Sequence, residues 1–286
     1  MTDVPAFGMC VSESCDRIVT LHADYIAVWS LLTGDEVARV AFANPSGIHL
    51  FEGIGCAWAG NKIIGFQVDD GKVDWSLVVP SADSVISAMT DGREIVARTS
   101  NSVNCYCPGT SRTAWRHAAE PAVDGVLFVG GRLYLSDGQV VANGDAVATL
   151  GDRVQGAGSS WLLVRRGSRH YLRDPVSGRY IVVALSEQAA RLVGAAQCLV
   201  FDYSEGVLAW ASSERVYAVD VRSGECCLDW YCIGSVRDIC FVERGLAVGA
   251  WNELTLKRLD GCSVSPPATA GCAVVPSRGS GRSPLA

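Results

Sequence analysis

Along residues 217–230 (YAVDVRSGECCLDW) apolar and polar positions alternate, stop at a polar turn closed by Gly224, and resume toward an aromatic. Successive side chains of a strand point to opposite faces, so this period-two pattern around turn-forming residues predicts an antiparallel β-hairpin. The outline repeats at 28–40 (VWSLLTGDEVARV), 65–77 (GFQVDDGKVDWSL), 105–117 (CYCPGTSRTAWRH) and 171–184 (YLRDPVSGRYIVVA). Looser copies close on Asn143-Gly144 and Asp260-Gly261. The apolar runs of residues 122–150 are too short for helices. Only residues 186–193 (SEQAARLV) carry helical propensity, and they predict a short helical turn or an extended loop.

Taken as register marks, Gly34, Gly71, Gly109, Gly144, Gly178, Gly224 and Gly261 stand 37, 38, 35, 34, 46 and 37 residues apart. A period near 40 with two hairpins per repeat predicts a β-propeller rather than a helical solenoid, and 286 residues hold seven such blades. The predicted blades run 6–42, 48–80, 84–118, 122–150, 153–185, 191–232 and 237–259. The seventh shows three strands, so its fourth is expected from residues 262–276 or from the N-terminus, since an open edge is a liability. Val28-Trp29 followed by Thr33-Gly34 resembles the third strand and turn of a WD repeat. Gly71 with Trp75 four positions on resembles the blade of quinoprotein-like propellers. The resemblance implies an all-β fold, a single seven-bladed β-propeller of four-stranded antiparallel blades over residues 1–275. The Pro/Gly/Ser-rich stretch 276–286 is expected to be a flexible tail.

Composition fits that frame. Apolar residues make up 49% and charged residues 19%, as strands covered on both faces require. No apolar run approaches the ~18 residues of a membrane helix. The opening MTDVPAFGMC lacks the basic and long apolar regions of a secretion signal. Twelve cysteines without such a signal predict reduced, mostly buried thiols and a place in the cytoplasm or another reducing compartment. The net charge of −6 disfavours a general nucleic-acid binder.

Candidate chemistry is sparse. The vicinal pair Cys226-Cys227 resembles the vicinal disulfide of quinoprotein dehydrogenases, but those enzymes are longer, eight-bladed and exported. Two thiols on opposite faces of an outer strand is the expectation, and no cofactor is predicted. Neither Cys10 with Cys15 nor Cys105 with Cys107 has zinc-site spacing. His22, His49, His117 and His170 fall in different blades, at no metal-ligand spacing, and read as surface-loop residues. The eight tryptophans sit at strand positions and predict packing between blades.

One cluster breaks the acidic background: Arg165, Arg166, Arg169, His170 and Arg173 lie within nine residues around the turn between the second and third strands of blade five. On a turn, strand packing does not account for them, and crowded like charges call for counter-charges. Arginines suit paired hydrogen bonds to carboxylates or phosphates. Together these features predict a non-catalytic interaction scaffold, a subunit of a larger hetero-oligomeric complex that meets an acidic protein or RNA through these arginines. The alternatives are an enzyme acting on a small molecule at the central channel, or an auxiliary subunit of an RNA-processing complex.

Overall fold

Hairpin follows hairpin along the chain, and each consecutive pair closes into an antiparallel sheet. The computed structural model describes residues 9–11, 17–80, 84–110, 112–118, 120, 123, 125–129, 131–157, 161–194, 196, 198–202, 206–232, 235–242, 245–250 and 253–259. These form seven sheets, each with its strands in chain order from the axis outward, spanning 9–41, 47–78, 87–118, 125–149, 153–182, 198–231 and 236–258. Six have four strands; the seventh has three among the described residues (Val236–Val242, Gly245–Ala250, Glu253–Arg258). Of the segments expected to complete it, residues 262–276 and 1–8 lie outside the described residues. The described N-terminal strand, Met9–Val11, pairs with Arg17–Leu21 of its own blade. The tail expected at 276–286 and the turn at Gly261 also lie outside them.

The ring closes through its axis. The first strand of every blade abuts the first strands of both neighbours, and Met9–Val11 abuts Val236–Val242 of the last blade. Seven buried apolar clusters follow, one at each interface between adjacent blades. That between the last blade and the first joins Ile18 to Cys240 and Ala247. Burial on both faces explains the continuous apolar runs of the middle strands; in Gly245–Ala250 every residue is buried. The tryptophans serve this packing: Trp58, Trp161 and Trp210 are buried. Trp29 donates to Thr20 Oγ1 at 2.8 Å across the sheet, and Thr20 Oγ1 in turn bonds His22 Nε2 at 2.7 Å.

The six described register glycines, Gly34, Gly71, Gly109, Gly144, Gly178 and Gly224, all take positive φ in the turn before a fourth strand. At Gly224 the reason is doubled. Its φ is 76°, and a Cβ there would stand 2.8 Å from the carbonyl oxygen of Ala184 on the preceding blade. The turn of one blade thus presses on the outer strand region of the blade before it.

Five of the six described fourth strands carry a bulge. The register slips by one residue, leaving Val37, Asp74, Ala114, Val147 and Cys227 as the extra residues. Blade five alone pairs without one. The bulge separates Cys226 from Cys227: Cys226 is an exposed thiol, while Cys227 is buried and disulfide-bonded, so the two do not bond each other. Buried thiols are found at Cys56 and Cys105, and burial pushes that of Cys56 up to about 12.

Residues 186–193 do form a helix, Glu187–Gly194, in the long connection from blade five to blade six. Ser186 caps it, its Oγ accepting from the Ala189 amide at 3.1 Å. The sixth blade therefore begins at Cys198 rather than at 191. The histidines are not the surface-loop residues expected. His22 and His170 are buried, and His49 and His117 lie half-buried on strands, because a sheet covered on both faces leaves few of its residues to solvent. No helix among the described residues is long and apolar enough to cross a membrane.

Candidate docking surface

Blade five comprises Arg153–Ala157, Leu162–Arg166, Arg169–Arg173 and Tyr180–Val182. Its second and third strands meet in a tight hairpin with Gly167 at φ 61° and Ser168 at the tip. The apolar residues of the hairpin fix which way its arginines face. Leu162 and Val164 pack with Leu127, Tyr134 and Val140 of blade four, whereas Leu163 and Leu172 pack with Leu208 and Trp210 of blade six. Alternation then places Arg166 on the blade-four side and Arg165 with His170 on the blade-six side.

The cluster is a strand end more than a turn. Arg165 and Arg166 end one strand, while Arg169, His170 and Arg173 belong to the next. Arg165 stands opposite His170 and Arg166 opposite Arg169 in the ladder. The inner strand adds a fifth arginine that the sequence spacing hid, because Arg153 stands directly opposite Arg165.

Arg166 carries its own counter-charge. Its Nε and Nη2 donate to Asp152 Oδ1 and Oδ2 at 2.7 and 3.0 Å, and the Tyr180 hydroxyl donates to Oδ2 at 3.0 Å. The Asp152 side chain is only 1% exposed, against 59% for Arg166. The Arg166 guanidinium holds the Asp152 carboxyl below the usual carboxylate range, against the opposing effect of burial. Gly138 of blade four fixes the loop that presents Asp152, for a Cβ there would fall 2.3 Å from the Asp152 carbonyl oxygen. Arg166 and Arg173 lie over the Tyr180 ring at 5.2 and 5.1 Å, and Tyr171 meets that ring edge-on at 6.0 Å. This Asp152–Arg166–Tyr180 group stitches the end of blade five and is structural.

The other members divide differently. His170 is buried, and burial together with the nearby Arg165 lowers its pKa, so it is neutral at pH 7. Arg173 is half-buried. Arg153, Arg165 and Arg169 are exposed. Arg165 Nε donates to the Gly167 carbonyl at 2.9 Å, and the residue is exposed. No carboxylate among the described residues pairs with Arg153 or Arg169.

Toward the axis, His49 of Gly47–Phe51 accepts a long hydrogen bond from the Thr90 amide at 3.5 Å, and burial lowers its pKa to about 4. A histidine held neutral in that way is a poor proton donor at pH 7. Among the described residues no three His, Cys, Asp or Glu side chains gather as metal ligands.

A seven-bladed ring of antiparallel sheets, six of them four-stranded among the described residues, is a β-propeller. Among solved structures, the β-propeller domain of Myceliophteria thermophila Cps50 (Swd1) superposes with a TM-score of 0.67 over 90% of this chain and 98% of that one, at 11% identity. At that identity the likeness is one of fold. In all, 1047 solved chains match, so the architecture is shared far more widely than any one activity. No family model and no curated protein matches the sequence.

Proposed function

We propose that the propeller is a non-catalytic interaction platform, a subunit of a hetero-oligomeric complex that docks an acidic element of a partner protein on the arginine end of blade five. The observation that carries this reading is the direct opposition of like charges. Arg153 faces Arg165 and Arg166 faces Arg169, while Asp152 is the one carboxylate that pairs with any of them among the described residues. Like charges directly across a ladder are destabilising, so a sheet end that keeps them is provided for by something outside it. The scaffold suits the task, because seven packed interfaces hold the hairpin at a fixed place and docking demands little ordering.

The RNA-contact reading is second to this one, since the chain carries a net charge of −6 and nucleic-acid binders are usually basic. The free thiols of Cys56 and Cys105 fit the reducing setting expected, whereas the disulfide at Cys227 does not. Native mass spectrometry of the protein isolated from its own cells tests the platform: a heteromer of defined stoichiometry is expected. A lone monomer that turns over a small molecule would contradict it.

A further inference from the structure

Resting on the docking reading, we propose that the element taken up by blade five carries a phosphate group, held between the guanidinium groups of Arg153 and Arg165. The geometry favours a dianion over a single carboxylate. Directly opposed residues of an antiparallel pair have Cβ atoms about 4.5–5.5 Å apart, so Arg153 and Arg165 start side by side on one face of the sheet. Each planar fork donates two parallel hydrogen bonds, and a phosphate monoester offers three acceptor oxygens and nearly two negative charges at neutral pH. One carboxylate would leave one of the two forks uncompensated. Arg169 stands on the opposite face of the sheet, across the ladder from Arg166, which is already committed to Asp152, so the cradle is made by Arg153 and Arg165.

The same surroundings favour a phosphate on a protein over one in a nucleic-acid strand. Single-stranded nucleic acids are held by open aromatic faces together with a basic groove that tracks several phosphates. Here Tyr171 and Tyr180 meet edge to face, and Arg166 and Arg173 lie over the Tyr180 ring. The exposed arginines span one blade end of an otherwise acidic chain, a reach suited to one phosphate.

The test uses the whole protein with arginine side chains labelled with nitrogen-15, followed by NMR at low salt. The probes are a short Gly/Ser peptide bearing one phosphoserine, its unphosphorylated twin, its twin with glutamate in place of phosphoserine, and oligouridine. The phosphopeptide is expected to shift the Nε–Hε signals of Arg165 and Arg153 and to bind about tenfold more tightly than the glutamate twin, a difference of about 1.4 kcal/mol. Changing Arg153 and Arg165 together to serine removes that preference, while Arg222→Ser, on a remote turn of blade six, leaves it intact. Equal binding of the glutamate and phosphoserine peptides overturns the phosphate assignment, as does tighter binding of oligouridine or no shift with any probe. Because no natural partner is used, failure here with capture of a partner still dependent on the arginines would remove the phosphate and leave the docking surface standing.

Discussion

Arg165 and Arg166 are adjacent in sequence and opposite in role. Strand alternation sends Arg166 toward blade four and onto buried Asp152, and sends Arg165, an exposed residue, to the other face. A change at Arg166 therefore strands a buried carboxylate, so treating the three neighbouring arginines as interchangeable surface charges fails at this position. Asp152→Ala is expected to cost about 1–2 kcal/mol, less than the 3–5 of a fully buried pair because Arg166 is largely exposed. Thermal melts would read that as a drop of roughly 2–8 °C at pH 7. Since the folded-state pKa of Asp152 is depressed, its contribution is present above the ordinary aspartate range and is lost as the pH falls through the folded pKa. The gap between wild type and variant therefore narrows in acid; a gap that persists unchanged at pH 2.5 contradicts the assignment. The arginine run itself is legible in the sequence, because charge density needs no geometry. Arg153 and Asp152 are not, for only ladder register and interblade packing bring them there.

At the scale of the element, the hairpins and their turn glycines are readable because period-two alternation and positive φ are local demands. The bulges at Val37, Asp74, Ala114, Val147 and Cys227 are not local, since each depends on how a fourth strand pairs with its third. Glycines inside strands carry a further message that the turn reading passes over. In blade two, Gly47, Gly55 and Gly65 stand opposite Trp58, Phe66 and Trp75, whose rings occupy the space a Cβ would take. At Gly65 that Cβ would lie 2.0 Å from the Trp75 indole. Gly65→Ala forces the ring off its place and is expected to destabilise the protein by about 1–3 kcal/mol in chemical denaturation. A neutral or stabilising result would show that the indole repacks without strain. The helix Glu187–Gly194 was visible as propensity, but its place between blades five and six is set by apolar contacts of Ala189, Leu192 and Val193 that no local pattern specifies.

For the whole molecule, the spacing of the seven register glycines in the sequence already contains the blade number, and the ring adds what spacing cannot: closure through the inner strands and seven interblade cores. Such a frame holds its surface loops in place rather than moving them, which fits display better than turnover. The central claim is that a partner is read by Arg153, Arg165 and Arg169 on this rigid ring. It is tested most directly by quantitative affinity capture from the native source, comparing wild type with the triple serine variant at low and high salt, after matched circular dichroism and melting curves. The account predicts unchanged folding, since exposed substitutions usually shift stability by less than ~0.5 kcal/mol. It further predicts at least a tenfold loss of one defined partner, with the difference shrinking as salt screens the wild-type contact. Full retention of every partner by the correctly folded variant would contradict it.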